Sequence, residues 1–417
     1  MRRSRGEEEQ GRSLLCTSIP LPAQKDGSVV MRARAIVIGA GSTGSAVAHD
    51  LALRGLETIV VERGEVASGT TGRNHCLLHS GGRYCVKDQE SAIECIQENM
   101  ILREIMPEAM ELNDGLFVAI TDDDMDYKPL FLEGCEACGI PAKELSPEEA
   151  LALEPNLNPK LKAAVRVPDG VFEPSRLCMS FLATAKKNGA RVHTYTEVLD
   201  LLTDGRGNVT GVKVRDRTRD EVYDIEADIV VSAAGPWAED IAAMAGIDVP
   251  VRPTPGVMVS MKGRYANMVI NRLNYSSDGD IVVPQRQTSI IGTTSWKVEN
   301  ADYIPIPEDH VQLMLQKGAE LLPPLQETEP RGIFAVARPL IAKPGVEEGR
   351  ELSRTFQCFD HAEDGVEGLV TIAGGKTTSA RAMAETTADV VCKKLGIDVP
   401  CQTRTTRLAS YRDYYLL

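Results

Sequence analysis

The stretch ARAIVIGAGSTGSAVAHDLALRGLETIVVERG, residues 33–64, contains a regular succession of apolar runs and glycines. An apolar run from Ala35 to Ile38 predicts a buried strand, and three glycines follow it in G-x-G-x-x-G spacing. The next segment predicts a helix that stops near Gly55, and a second strand, Thr58 to Val61, precedes Glu62. Strand, glycine turn, helix, strand and acid in this order predict a dinucleotide-binding βαβ unit.

Three later segments favour FAD over a nicotinamide cofactor. The glycine-rich loop TTGRNHCLLHSGGRYC, residues 70–85, follows the second strand directly, where a nicotinamide-binding protein would usually continue with another helix. Residues 190–216 predict short strands with a glycine turn, and residues 224–246 predict a strand and a helix. Near the end, a strand, a turn at Gly374 and Gly375 and a helix predict a second helix N-terminus, which suits the flavin edge that gains negative charge on reduction.

The predicted fold class is α/β, with a discontinuous Rossmann-type FAD-binding domain and an antiparallel-sheet substrate domain that caps it. Alternating strands such as those in DIVVPQRQTSIIGTTSW, residues 280–296, predict the antiparallel sheet. The predicted FAD-binding segments are 31–105, 161–250 and 341–400. The predicted substrate-domain segments are 106–160 and 251–340, and residues 401–417 form a tail. Residues 1–30 predict a disordered extension, or an upstream start ahead of a natural Met31.

Composition narrows the function classes. The net charge of −14 argues against a nucleic-acid surface, and no apolar run reaches the roughly 18 residues that span a bilayer. Ten cysteines are scattered, and the close pair Cys135 and Cys138 has no second pair at metal-site spacing, so free thiols and no bound metal are expected. We therefore expect a cytoplasmic protein, with peripheral contact to the inner face of the cell membrane left open.

Several stretches carry a family resemblance that spans about residues 33–400. The matching stretches are ALRGLETIVVERGEVASGTTGRNHCLLHSGGRYCV (52–86), NDGLFVAI (113–120), VRVPDGVFEPSRL (165–177), VINRLNYSSDGDIVVPQRQTSIIGTTS (269–295), VARPLIA (336–342) and GGKTTSARAMAETTADVVCKKLG (374–396). On these stretches the chain resembles the FAD-dependent glycerol-3-phosphate dehydrogenases of the D-amino-acid-oxidase-like flavoprotein superfamily. Within that family it is most similar to the A subunit of the anaerobic bacterial enzyme.

The resemblance implies a set of site residues. The substrate phosphate and hydroxyls are expected at four cationic side chains, of which the first two also serve catalysis: Arg83, Arg338, Arg354 and Lys376. His79 and His361 are candidates for the base, whereas His75 is expected beside the cofactor. The expected FAD-binding residues are Gly39, Gly41, Gly44, Glu62, Arg63, Ser68, Thr70, Thr71, Arg73, Val198, Gly235, Trp237, Gly374, Gly375, Lys376 and Thr377.

The implied reaction is oxidation of sn-glycerol 3-phosphate to dihydroxyacetone phosphate, with electrons passed to a quinone or a partner protein. The sequence ends before the cysteine-rich iron–sulfur domain expected of the anaerobic enzyme, so no cluster is expected here. Cys76 replaces an expected glycine, and Thr377 and Ala380 replace an expected leucine and tyrosine beside the flavin. Two alternatives stay open: oxidation of a 2-hydroxy acid or amino acid, and a non-catalytic electron-transfer flavoprotein.

Overall fold

The computed structural model describes residues 30–342 and 352–417. The disordered extension predicted for residues 1–30 therefore lies outside the described residues, except for Val30. The described α-helices are α1 (Ser42–Leu53), α2 (Gln89–Ile105), α3 (Asp122–Ala137), α4 (Pro147–Leu153), α5 (Pro174–Lys187), α6 (Ala238–Ala243), α7 (Glu308–Leu321) and α8 (Ala380–Leu395). The described strands of the first half are β1 (Val30–Ile38), β2 (Thr58–Val61), β3 (Leu77–Leu78), β4 (Met110–Glu111), β5 (Gly115–Ala119), β6 (Lys143–Leu145), β7 (Ala163–Val167), β8 (Gly170–Phe172) and β9 (Arg191–His193).

The first sheet is the dinucleotide-binding sheet. Its remaining strands are β10 (Thr196–Thr203), β11 (Val209–Asp216), β12 (Glu221–Ser232), β18 (Phe356–Asp360) and β19 (Leu369–Gly374). Strands β19, β12, β1, β2 and β9 run parallel in that order, whereas β10, β11 and the first half of β12 form an antiparallel meander. The parallel strands bring their carboxyl ends to one edge, which is where ligands bind in such sheets.

The second sheet is almost wholly antiparallel. Its later strands are β13 (Val251–Lys262), β14 (Val269–Arg272), β15 (Ile281–Gln285), β16 (Thr288–Gly292) and β17 (Pro330–Ile341). The order is β17-β13-β16-β15-β14-β5-β7-β6, and among the described pairs of this sheet only β14–β5 is parallel. A short third sheet has the order β3-β8-β4.

Helices cover one face of the dinucleotide-binding sheet. The α1 helix packs against α5 and α8, and its small buried residues, among them Ala46 and Ala48, allow close approach to the sheet. Arg381 of α8 is fully buried and forms an ion pair with Glu98 of α2, with a 2.7 Å bond from Nε to Oε2. This pair fixes the start of α8 against α2.

The observed elements confirm the predicted fold class. Strand β2 has the predicted bounds, β1 ends at the predicted Ile38, and α7 spans the predicted helical segment. The division into domain segments stays a prediction. One strand, β7, pairs with β5 in the second sheet, although the sequence assigned residues from 161 onward to the FAD-binding segments.

In the described part of the chain, no helix combines the length and the apolar character needed to cross a membrane.

Candidate active site

The turn between β1 and α1 brings backbone close to backbone. Gly39 has φ +103°, and a Cβ added to it would lie 2.7 Å from the carbonyl oxygen of Ala233, just after β12. A Cβ on Gly44 would lie 1.9 Å from the Gly39 oxygen, so this third glycine serves helix–strand packing. Gly41 borders the cavity, and Gly44 does not. The turn is therefore shaped for a ligand at the first two glycines and for packing at the third.

The N-terminus of α1 opens toward the cavity without a side-chain cap or an acidic residue in its first turn. Such an end attracts an anion, because its backbone N–H groups and the helix dipole both favour negative charge. The hydroxyl of Thr71 accepts from Ser42 N at 3.0 Å, which ties the glycine-rich loop to this helix end. The segment that leads into α8 borders the same cavity through Gly374, Gly375 and Thr377.

One cavity of about 1570 Å³ joins all these features. At one end it is bordered by Glu62, Val198 and Trp237, and at the other by a group of cationic side chains. Glu62 accepts from the backbone N–H groups of Ala40 and Gly64, both at 2.8 Å, so its carboxylate is fixed at the end of β2. The Arg63 guanidinium lies 4.1 Å from the Trp237 ring centroid.

Arg83 is held at the cationic end by the second sheet. Its guanidinium donates to Asp280 Oδ1 at 2.6 Å, to Ser276 Oγ at 2.8 Å and to Asn271 Oδ1 at 3.2 Å. Asn271 in turn donates to Asp169 at 3.1 Å. The β14–β15 hairpin thus orients an arginine that the glycine-rich loop supplies.

Arg338 of β17 is fixed by neutral oxygens. It donates to the carbonyls of Thr254, Pro255 and Thr294 at 2.7–3.1 Å and to the hydroxyl of Thr293 at 3.1 Å. Within the described part of the chain, no carboxylate is among the groups that shift its pKa. Burial, with repulsion from Arg354, lowers the pKa of the Arg338 guanidinium to about 9. An arriving anion would relieve this unbalanced buried charge.

Arg354 and Lys376 lie next to each other on the same wall. Lys376 Nζ donates to the backbone carbonyl of Arg354 at 2.7 Å, and the backbone N–H of Arg354 donates to Asp88 Oδ2 at 3.0 Å. Both side chains border the cavity. Burial lowers the pKa of Arg354, whereas Cys95, Glu94 and Tyr84 raise the pKa of Lys376 despite its burial.

Two histidines of the glycine-rich loop border the same region. The His79 ring lies 5.8 Å from the His75 ring and 5.4 Å from the Tyr84 ring, centroid to centroid. Burial lowers the pKa of His75 to about 3 and that of His79 well below its usual value. Both imidazoles are therefore neutral at physiological pH, and a neutral imidazole can accept a proton.

The structure places the predicted site residues in two groups. Those that border the cavity are Gly39, Gly41, Glu62, Arg63, Ser68, Thr70, Thr71, Arg73, His75, His79, Arg83, Val198, Gly235, Trp237, Arg338, Arg354, Gly374, Gly375, Lys376 and Thr377. Gly44 and His361 are not among them. The His361 ring instead contacts Asp364 and Thr371, each at 2.8 Å. The expectation that His361 belongs to a cavity-lining motif is thus not met.

Sequence reasoning missed several residues that border the cavity. Tyr84, Lys87 and Asp88 follow Arg83 closely, and Tyr275 lies between β14 and β15. Lys87 Nζ lies 4.5 Å from the Tyr275 ring centroid. Tyr84 could have been predicted, because it follows Arg83 directly in the glycine-rich loop. Nothing in the sequence pairs Lys87 with Tyr275.

The residues present fit FAD. The α1 N-terminus, whose N-cap residue is a glycine, suits a pyrophosphate, and Glu62 suits a ribose. The buried Trp237 Nε1 has no hydrogen-bond partner within the described residues. A second helix N-terminus, that of α8, follows the Gly374–Gly375 turn. These features are typical of the class of dinucleotide-binding oxidoreductases. The cationic side chains border the same cavity as the residues suited to the dinucleotide.

Comparison with known proteins agrees with this class. The model of the FAD dependent oxidoreductase family, DAO, matches residues 34–390. The A1 subunit of the anaerobic glycerol-3-phosphate dehydrogenase of Haloferax volcanii is 45% identical over 394 residues, covering 92% of this chain and 67% of the relative. The A subunit of the corresponding Escherichia coli K12 enzyme is 42% identical over 381 residues, covering 91% of this chain and 70% of the relative.

A solved structure is similar as well. The glycerol-3-phosphate dehydrogenase of Bacillus halodurans, complexed with FAD, superposes with a TM-score of 0.68 at 25% identity, covering 90% of this chain and 68% of that one. The chain spans about two thirds of the length of the curated relatives it matches. It belongs to the FAD dependent oxidoreductase family, and its cofactor is FAD.

Proposed function

We propose that this protein oxidises sn-glycerol 3-phosphate to dihydroxyacetone phosphate. The observation that carries the proposal is that Arg83, Arg338, Arg354 and Lys376 all border one cavity and lie near one another, since Arg354 repels Arg338 and Arg83 and its carbonyl accepts from Lys376 Nζ. A phosphate dianion needs several fixed cations when it is withdrawn from water, and a carboxylate or a neutral alcohol needs fewer. The names of the relatives support the same substrate.

The side chains would divide the work. Arg338 is held rigidly by neutral oxygens and brings an unbalanced positive charge, so it favours the phosphate most directly. Arg83 forms an ion pair with Asp280, and Lys376 forms one with Glu94. Because their charges are already balanced, these two side chains would orient the substrate and attract the phosphate less strongly than Arg338 does. When bound, FAD supplies the acceptor for the hydride that leaves C2.

The hydroxyl proton needs an acceptor on the protein. His79 is the candidate that the geometry favours, because its ring borders the cavity and packs beside the rings of His75 and Tyr84. The His79 backbone N–H donates to Thr378 Oγ1 at 3.2 Å, which fixes the loop against the segment that precedes α8. His361 is a weaker candidate for the base, because its ring contacts Asp364 and Thr371 and does not border the cavity.

The electrons must then leave the protein. We propose a partner protein or a quinone as the acceptor, because the similar chains of Haloferax volcanii and Escherichia coli are named as subunits. Peripheral contact with the inner face of the cell membrane would bring a quinone within reach.

The proposal is tested by mixing the FAD-loaded protein anaerobically with candidate substrates while recording the visible absorbance of the flavin. We expect rapid bleaching with glycerol 3-phosphate and recovery of dihydroxyacetone phosphate in equal amount. Glycerol, a 2-hydroxy acid and an amino acid serve as comparison substrates. If the 2-hydroxy acid bleaches the flavin readily and glycerol 3-phosphate does not, the protein oxidises a carboxylate substrate and the proposal is wrong.

A further inference from the structure

The ammonium group of Lys376 is held from behind by helix α2. Lys376 Nζ lies 3.3 Å from Glu94 Oε1, and the two side chains are 8% and 14% exposed. Apart from this ion pair, Glu94 Oε1 is buried and has no hydrogen-bond partner within residues 30–342 and 352–417. Glu94 does not border the cavity, whereas Lys376 does. The carboxylate therefore has no direct contact with the cavity, and the lysine is the group that links it to a bound ligand.

The same helix also holds the neighbouring cationic segment. Asp88 caps α2, and its Oδ2 accepts from Ser353 Oγ at 3.1 Å and from the Arg354 backbone N–H at 3.0 Å. Because Lys376 Nζ donates to the Arg354 carbonyl, the lysine is fixed from two sides, by that carbonyl and by Glu94.

We propose that Glu94 is a positioning residue, which keeps the Lys376 ammonium group in its charged form at the phosphate end of the cavity. The proposal deepens the proposed function and rests on it, since it assigns to Lys376 the role of a phosphate ligand.

The electrostatic surroundings make this partner necessary. Lys376 is almost fully buried, and burial alone disfavours its charged form. The groups that face it are Glu94 and Cys95 of α2, Tyr84 of the glycine-rich loop, and the segment of Arg354. Glu94 is the carboxylate among them, and its removal would leave a desolvated lysine near other cations, so the lysine would lose its proton at a lower pH.

The test compares Glu94→Gln with Glu104→Gln, a substitution of an exposed acid on the same helix. As the pH rises, binding of inorganic phosphate to the wild type should weaken when Arg338 loses its proton near pH 9, and binding to the FAD-loaded Glu94→Gln protein should weaken more steeply, because Lys376 then loses its proton at a pH lower by about one unit or more. At neutral pH its affinity should stay within about threefold of the wild-type value, because the lysine is still charged there. Calorimetry at a series of pH values measures both quantities, and Glu104→Gln should follow the wild type.

A second variant excludes a merely structural effect. In a Lys376→Met background, Glu94→Gln should add no further loss of phosphate affinity or kcat/KM, because the carboxylate acts through the lysine. An unchanged pH profile in Glu94→Gln, or equal losses with and without Lys376, would overturn the proposal. If Glu94→Gln shows the expected pH shift in phosphate binding but glycerol 3-phosphate does not reduce the wild-type flavin, the positioning role stands and the proposed function fails.

Discussion

His49 lies inside α1 with both ring nitrogens buried, and neither has a hydrogen-bond partner within the described residues. Its ring packs 5.6 Å from that of Phe181 in α5, centroid to centroid. Burial lowers the pKa of His49 to about 3, whereas the unfolded chain titrates near the ordinary value of 6.5. The folded state therefore excludes a proton that the unfolded state accepts, and the native protein loses stability as the pH falls below about 6.5.

This titration predicts a measurable change in the His49→Phe variant. Between pH 7 and pH 5, the wild type should lose about 2 kcal/mol of unfolding free energy through His49 alone. His49→Phe should remove that part of the pH dependence, and urea unfolding of the FAD-loaded protein at the two pH values measures it. His49→Gln provides the control, since it cannot titrate but keeps a buried polar group. A loss of unfolding free energy between pH 7 and pH 5 that is as large in both variants as in the wild type would contradict the assignment, because the buried His75 and His79 contribute equally to all three proteins.

Single residues differ in how far the sequence reveals their place. Glu62 was identifiable because it stands at a fixed position after a fingerprint whose local geometry is set by glycines. His361 was expected at the cavity, but it begins a short 3-10 turn after β18, where its ring contacts Asp364 and Thr371, and no local sequence pattern specifies that direction. Glu94 could not have been found at all, since its partner Lys376 lies 282 positions further along the chain and meets it only in the folded protein.

The β1–α1 turn shows how one element depends on a missing side chain. A methyl group at Gly44 would lie 1.9 Å from the Gly39 carbonyl oxygen. Because this neighbour is a backbone atom, it cannot move aside as the end of a flexible side chain could. We expect Gly44→Ala to lower the unfolding free energy by roughly 3 kcal/mol and to weaken FAD retention, because α1 must move off the sheet. Gly205→Ala, where nothing lies within 4 Å of the added atom, should change neither. Equal melting temperatures and equal flavin content in both variants would refute this interpretation of the turn.

At the level of elements, periodicity predicted much of the architecture. Strand β2 and helix α7 were predictable because each has a local apolar pattern between clear stop signals. The parallel β14–β5 pair was not, because it joins segments more than 150 residues apart in a sheet whose other described pairs are antiparallel. Strand β7 likewise joined the second sheet through pairing with β5, which no local pattern specifies.

At the scale of the molecule, the cavity draws its walls from both large sheets, so its ligand should stabilise the whole fold. A ligand that binds only the native state stabilises it by about 2.7 kcal/mol at a free concentration one hundred times its dissociation constant. We therefore expect FAD to raise the melting temperature of flavin-free protein in a concentration-dependent way, and NAD to leave it unchanged. Scanning calorimetry with each nucleotide provides the measurement. Equal stabilisation by NAD would show that the second helix N-terminus and the cationic end do not select a flavin.

Recognition of a phosphate by the cationic end of the cavity is tested by the Arg338→Gln variant. The glutamine keeps hydrogen-bond donors for the surrounding carbonyls but removes the charge. Measured by flavin reduction under argon, at matched FAD content, kcat/KM for glycerol 3-phosphate should fall by roughly 30- to 1,000-fold, the equivalent of about 2–4 kcal/mol. The loss with glycerol, which has no phosphate, should be far smaller. Equal fractional losses with the two substrates would contradict the account, because they would mean that Arg338 supports the flavin or the fold instead of the phosphate.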